Sequence, residues 1–183
     1  AACERGAQVR LISGPVNIVP PCGVETVYVT SAMDMYSEVM KTYESFDVLV
    51  MVAAVADYRC AQVAQKKIKK SDDNLTVELV RNPDIAAELG KVKGDKILVG
   101  FSAETDNLVK NASGKLASKN MDMIAANDVT VEGAGFGTDT NVVKLIKRDG
   151  SILDLPVMSK KDVAHRILDE ILVVKNGNSV DKT

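Results

Sequence analysis

A single histidine, His165, occurs in the whole chain of 183 residues, and that scarcity removes several reaction classes. Ser-His-Asp and Cys-His nucleophilic catalysis both need an imidazole base, and catalytic zinc sites are built largely from histidine. His165 falls on an amphipathic C-terminal pattern, where a surface role is expected. The three cysteines (Cys3, Cys22, Cys60) have no CxxC spacing and leave an odd count. That usage fits reduced thiols in a cytoplasmic protein, with all three expected to be buried or semi-buried as small hydrophobes. No run of 18 apolar residues and no signal-peptide pattern is present, so neither a membrane span nor export is expected. An excess of one charge is missing too: 23 basic and 25 acidic residues give a net charge of −2. No global field draws the chain to nucleic acid or a membrane, and any basic site must be local. Neither GxGxxG nor GxxxxGK[ST] occurs in complete form.

What is present is a 46% hydrophobic composition, sufficient for one domain with a real core. Short β-rich apolar runs alternate with helical patterns, which predicts an α/β fold: a Rossmann-like three-layer sandwich with a mainly parallel sheet. The runs are Gln8–Ser13, Glu25–Val29, Val48–Val52, Ile97–Phe101 and Met123–Ala126, with weaker support for Thr76–Val80. Their continuous apolar character predicts strands covered on both faces. Asn141–Lys147 and Ser151–Leu155 flank Asp149-Gly150, predicting a C-terminal antiparallel hairpin. Ser31 with Asp34 forms a capping-box pattern ahead of Met33, Tyr36, Met40 and Tyr43 at helical spacing. Asn82 reads as an N-cap with Pro83 at the first helical position, and Gly90 as the end of that helix. Thr105 is the expected cap of a helix reaching about Lys119. Ser159 with Asp162 opens a last helix whose apolar stripe is Val163, Ile167, Leu168 and Ile171. Residues 1–175 are expected to form a single domain, with 176–183 a polar tail. Ala1–Arg5 followed by Gly6 reads as a last helical turn with a glycine C-cap, as though the sequence began inside a βα unit.

The chemistry concentrates between Val48 and Ile85. Asp57 follows the apolar run, at the strand end where open α/β sheets place their ligands, and Ala53, Ala54 and Ala56 leave room for a flat base or a ribose. Four lysines at 66, 67, 69 and 70 come next, interrupted by Ile68; an ammonium neutralises phosphate as a flexible point donor. Asn82-Pro83-Asp84-Ile85 presents a helix N-terminus, which favours acceptors and anions. Lys115 and Lys119 share a helix face. Gly133, Gly135 and Gly137 around Phe136 make a loop suited to a lid or an interface turn. Each feature has an ordinary structural explanation, and no one of them suffices.

Together they resemble the bacterial phosphopantothenoylcysteine synthetase domain. The match runs in order through Arg5-Gly6-Ala7, Ser13-Gly14-Pro15-Val16, Ala53-Ala54-Val55-Ala56-Asp57-Tyr58-Arg59, Lys67-Ile68-Lys69-Lys70 and Asn82-Pro83-Asp84-Ile85. It continues through Gly100-Phe101-Ser102-Ala103-Glu104-Thr105, Lys115, Lys119, Ala126-Asn127-Asp128-Val129 and Phe136-Gly137-Thr138-Asp139-Thr140-Asn141. The resemblance implies a ligase that activates 4′-phosphopantothenate with CTP and Mg²⁺ as an acyl-cytidylate, then transfers the acyl group to cysteine. It implies CTP contacts from Met51, Val52, Ala53, Asp57, Lys67, Pro83, Asp84, Ile85, Ala86, Phe101, Lys115 and Lys119. Within that set the expected roles are phosphate binding by Lys67, Lys115 and Lys119, with Lys67 catalytic. Asp57 would accept from the nucleotide or support the hydrated metal; backbone at Ala53 and Asp84–Ala86 would read the cytosine edge. No metal ligand is assigned.

The family is homodimeric and fused to a flavin-dependent decarboxylase domain, so a homodimer is expected, with Phe136–Asn141 and the hairpin as interface and lid candidates and no FMN on this chain. The family's first strand and its Asn-His-Ser-Ser-Gly loop, which carries the catalytic Asn, have no counterpart in this sequence. That leaves two other expectations open: a degenerate nucleotide-binding or regulatory module without turnover, and a Rossmann-type NAD(P)-dependent oxidoreductase.

Overall fold

The computed structural model describes residues 1–69, 74–131 and 137–180, with side chains to residue 177. The strands are β1 (Arg10–Ser13), β2 (Glu25–Tyr28), β3 (Val48–Met51), β4 (Tyr58–Cys60), β5 (Leu79–Arg81), β6 (Ile97–Glu104), β7 (Met123–Asp128), β8 (Thr140–Lys147) and β9 (Ile152–Ser159). The helices are α1 (Ala32–Thr42), α2 (Ile85–Val92), α3 (Leu108–Ser118) and α4 (Lys160–Val180).

The central sheet has the order β3-β6-β7-β8-β9. Its β3–β6 and β6–β7 pairs are parallel; the β7–β8 and β8–β9 pairs are antiparallel. The β8–β9 hairpin is the one that Asp149-Gly150 predicts: Gly150 turns at φ +84°, where only glycine is unstrained, and the Asp149 carboxylate accepts the Ser151 N–H at 2.8 Å. β9 tolerates Pro156 because it is an edge strand, and the register slips between Asn141 and Val143 opposite it. β1 and β2 pair in parallel as a two-stranded ladder of their own, separate from the central sheet. β4 and β5 form a third, antiparallel ladder.

Two apolar layers enclose the central sheet, giving the expected three-layer arrangement. On one face Met35 and Val39 of α1, Ile85 and Leu89 of α2, and Ala112 and Leu116 of α3 pack on Leu98, Ile124 and Ala126. On the other, Val163, Ile167 and Ile171 of α4 cover Ile97, Val99, Met123, Ala125, Val143 and Leu145. Alternation along β6 and β7 feeds both layers at once, which is why their sequences read as unbroken apolar runs.

Several expectations need correction. β1 begins at Arg10, not Gln8, and β1, β2 and β3 are not covered on both faces: Val50 is 45% exposed, because β3 is the other edge of the central sheet. The strand expected at Thr76–Val80 is Leu79–Arg81. The Ser31–Asp34 capping box is present, but the buried line on α1 is Met35, Val39 and Thr42, flanked by Tyr36 and Met40. The cap of α2 is Asp84, which accepts the Ala87 N–H at 3.0 Å. Asn82 is drawn away to other partners.

Gly90 lies inside α2 instead of ending it. A Cβ there would sit 2.0 Å from the Lys119 carbonyl oxygen, so the glycine is a packing requirement between α2 and the end of α3. α3 starts at Leu108 after Asn107 in the left-handed region (φ 49°); Thr105 does not cap it, because β6 runs on to Glu104. α4 continues to Val180 in place of a tail from 176. Cys3 is half-buried as expected, but Cys22 and Cys60 are exposed, since the turn that carries Cys22 and the β4 strand that carries Cys60 lie outside both core layers. His165 is on α4 as expected, its Nδ1 accepting from Arg5 Nε at 3.0 Å. Phe136 with Gly133 and Gly135, and Lys70, lie outside the described residues. Thr140 and Asn141 of the expected lid begin β8.

Candidate functional site

A pocket of about 380 Å³ opens beyond the carboxyl ends of β3 and β6, the position that parallel strand geometry reserves for ligands. Its walls come from four places. Met51 ends β3, and Ala53, Val55, Ala56 and Asp57 follow without regular structure. Arg81, Asn82 and Pro83 lead into α2, whose start supplies Asp84, Ile85 and Ala86. Gly100, Phe101, Ser102 and Ala103 come from β6, and Lys115, Lys119, Met121 and Ile124 from α3 and the entry to β7.

Asn82 joins two of these walls. Its Nδ2 donates to the Ala56 carbonyl at 2.8 Å, and its backbone N–H donates to the Asp57 carbonyl at 2.8 Å. Arg59 Nη1 clamps the same corner, donating to the Arg81 carbonyl at 2.7 Å and to Asn82 Oδ1 at 3.1 Å. The Arg81 guanidinium lies over the Tyr58 ring, 5.5 Å from its centroid. These bonds explain why Asn82 is not the helix cap: tertiary partners take its amide, and Asp84 takes the helix N-terminus.

Both pocket lysines are held by carboxylates. Lys119 Nζ lies 2.8 Å from Asp84 Oδ2, and Lys115 Nζ lies 2.7 Å from Glu104 Oε1. Glu104 is buried and is also approached by Asn111 Nδ2 at 3.4 Å. Burial acts to raise the Glu104 carboxyl, but the Lys115 ammonium, with Asn111 and Ser102, overcomes it and leaves the group below its ordinary value. Asp84 behaves alike: burial raises it, while Lys119 and the N–H groups of Ala87 and Ala86 bring it below the usual value. The helix N-terminus expected to be open to an anion is therefore already occupied by Asp84.

The structure brings together Met51, Ala53, Asp57, Pro83, Asp84, Ile85, Ala86, Phe101, Lys115 and Lys119 of the expected set. It leaves two outside the lining. Val52 is 60% exposed, because alternation past the β3 edge turns it to solvent. Lys67 is exposed in a segment without regular structure. Ser102 and Glu104 were not expected here. Their signal is alternation: in β6, Leu98, Gly100, Ser102 and Glu104 share one face, opposite Ile97, Val99 and Phe101. Gly100 leaves room there for Met121, whose flexible end would have to shift to admit a Cβ, since its Sδ lies 2.6 Å from where that Cβ would sit. Two ammonium groups, an exposed carboxylate at Asp57, small residues and an apolar floor of Met51, Met121 and Ile124 suit a polyphosphate carrying a heteroaromatic ring.

Known proteins resemble the chain over nearly its full length. A Coenzyme A biosynthesis bifunctional protein CoaBC from Bacillus subtilis is 49% identical over 93% of this chain and 42% of its own length. The chain thus spans less than half of the curated relatives it matches. A crystal structure of the C-terminal domain of Coenzyme A biosynthesis bifunctional protein CoaBC superposes with a TM-score of 0.80 at 42% identity, covering 96% of this chain and 80% of that one. A Cab2 variant in complex with phosphopantothenate-cysteine has a TM-score of 0.67 over 88% of this chain and 56% of that one; at 16% identity it shares the fold. The model of the DNA/pantothenate metabolism flavoprotein C-terminal domain matches residues 1–174, and the chain belongs to that family.

Proposed function

We propose that this domain is the phosphopantothenate–cysteine ligase part of coenzyme A biosynthesis, with CTP as the activating nucleotide. The observation that carries the reading is the pocket itself, which gathers Asp57, Asp84, Lys115 and Lys119 around small residues and an apolar floor. A carboxylate oxygen of 4′-phosphopantothenate attacks the α-phosphorus of CTP; the α–β phosphoanhydride bond breaks and pyrophosphate leaves. The amine of cysteine then attacks the acyl carbon, and CMP leaves as the amide forms.

Charge neutralisation along the triphosphate is what the protein must supply. Lys115 and Lys119 reach the pocket from one face of α3 and its last turn, where Lys119 can exchange its Asp84 oxygen for a phosphate oxygen and Lys115 can offer the donors that Glu104 leaves free. Asp84, freed of Lys119, remains satisfied by the α2 N–H groups. Ala53 and Asp84–Ala86 line the pocket, and their backbone would read the cytosine edge. Lys67 would serve the same phosphates from the segment beyond Asp57, and its catalytic role belongs to this proposal.

Magnesium fits the donor set. Asp57 is the pocket carboxylate without an ion pair among the described residues, the other pocket-side acids being held by lysines. Mg²⁺ characteristically takes one or two carboxylates together with substrate phosphates, so Asp57 would hold it. When bound, it neutralises charge on the triphosphate. Among the described residues no cluster of three or more His, Cys, Asp or Glu side chains offers an all-protein metal site. A homodimer and a cytoplasmic location belong to the same proposal, and no helix of the described residues is long and apolar enough to cross a membrane.

The experiment is pyrophosphate release with CTP, phosphopantothenate and Mg²⁺, with and without cysteine, against an ATP control. Release that requires phosphopantothenate and prefers CTP is expected. CTP binding without any release would favour the non-catalytic nucleotide module, and no triphosphate binding would overturn the reading. Lys67→Gln with full turnover at low CTP would remove Lys67 from it.

A further inference from the structure

Lys115 has an exposed, flexible stem: its side chain is 46% accessible, against 10% for its partner Glu104. A lysine so exposed ordinarily samples many rotamers, and fixing one costs conformational entropy. Here the ammonium is fixed from below. Glu104 sits at the end of β6 on the pocket face, one residue beyond the pocket lining. It is nine-tenths buried, and its two oxygens take separate donors, Lys115 Nζ at 2.7 Å on Oε1 and Asn111 Nδ2 at 3.4 Å on Oε2. Asn111 is in turn anchored, donating to the Asp106 carbonyl at 2.9 Å.

Two residues before it on the same face of β6 is a second unusual group. Ser102 is 8% exposed, and its Oγ is buried without a hydrogen-bond partner of good geometry. A buried hydroxyl left unpaired carries a cost, yet this one faces the same carboxylate and adds to holding it ionised. The carboxylate is thus embedded in donors while its lysine points outward.

We propose that Glu104 is the positioning residue for Lys115. It takes one of the three ammonium donors and presents the other two to the pocket, with Asn111 holding the carboxylate in place from its other oxygen. The inference rests on the nucleotide reading above and adds a residue that never meets the ligand. Asp84 is not equivalent, because it also caps α2, so its loss would disturb the helix as well as Lys119. Glu104 caps no helix among the described residues.

A double-mutant cycle tests the role, with Kd for Mg-CTP measured by titration calorimetry on the wild type, Glu104→Gln, Lys115→Met and the double variant. Glu104→Gln is expected to weaken CTP about tenfold in the wild-type background and less than about twofold beside Lys115→Met. The loss for CMP, which lacks the outer phosphates, is expected to be smaller than for CTP. Glu104→Asp, which keeps the charge but withdraws it by a methylene, covers the case in which the amide variant does not fold, and is expected to lose affinity through the same coupling. Equal losses with and without Lys115, or no loss at all, would overturn the positioning role. A wild-type chain that binds no CTP would instead overturn the nucleotide reading, and this inference with it.

Discussion

Replacing Gly90 by alanine sets two magnitudes against each other. Inside a helix, alanine is favoured over glycine by about 1 kcal/mol, so α2 alone would gain. The added Cβ, however, would lie 2.0 Å from the Lys119 carbonyl oxygen, 2.8 Å from its carbonyl carbon and 3.2 Å from Asn120 Cβ. The first two are backbone atoms and cannot rotate aside, so α2 and the end of α3 must separate by about 1 Å to reach ordinary contact. Overpacking of this kind costs about 1–3 kcal/mol, and more where backbone must move. The same shift strains the 2.6 Å bond from Asn120 Nδ2 to the Gly90 carbonyl. Gly90→Ala is therefore expected to destabilise by about 2 kcal/mol net, a fall in Tm of about 4–8 °C for a domain of this size.

Gly114 supplies the control. It lies in α3, and a Cβ added there would meet nothing within 4 Å, so Gly114→Ala should stabilise by up to about 1 kcal/mol. Urea unfolding of both variants, with m-values compared to the wild type, reads the difference. A Gly90→Ala protein as stable as the wild type would refute the claim that close approach fixes this glycine.

Three further outcomes follow from the geometry. Asp122 accepts from Lys93 Nζ at 2.8 and 3.0 Å and from the Leu98 N–H at 2.8 Å, and the pair is buried at 7% and 8% side-chain exposure. Asp122→Ala should cost about 3–5 kcal/mol in denaturant unfolding by stranding the ammonium; a loss under about 1 kcal/mol would contradict it. The Glu104 and Asp84 carboxyls lie below their ordinary values of 4.5 and 3.8. Their stabilisation is thus complete above those values and is lost as pH falls below them, through the folded-state values. Unfolding free energy measured from about pH 6 to pH 3 should fall less steeply in Glu104→Gln, and an unchanged slope would count against the buried carboxylate. A thiol reagent should modify Cys22 and Cys60 faster than Cys3, whose sulfur packs 3.5 Å from the Gly23 carbonyl oxygen; three equal rates would be inconsistent with that packing.

The sequence is legible wherever local chemistry decides the outcome. Ser31 with Asp34, Asp149-Gly150 and Gly6 all act within a few residues, and each forms the cap or turn it predicts. Legibility ends where distant partners compete. Asn82 and Asp84 are both good caps two residues apart, and the choice between them is made by Ala56 and Arg59, more than twenty residues upstream. Gly90 looks like a helix terminator until Lys119 is seen against it. In the site, the residues carried by the family resemblance reach one pocket except Val52 and Lys67. Glu104 is hidden in the sequence because the apolar run ends at Phe101, although β6 keeps its alternation for three residues more.

The approach of α2 to the end of α3 has a thermodynamic consequence for any ligand of the pocket. The two segments are riveted at both ends of α2, by Asp84 to Lys119 at one and by Gly90 to Lys119 and Asn120 at the other. That wall is rigid before a ligand arrives, and its ordering entropy is charged to folding rather than to binding. The facing wall is tied at its far end, where the Ala56 and Asp57 carbonyls accept from Asn82, but residues 52–54 have no regular structure and are exposed. Ligand-induced ordering should therefore fall on one side only, so that protection from hydrogen exchange rises around Val52–Val55 while α2 stays as it was.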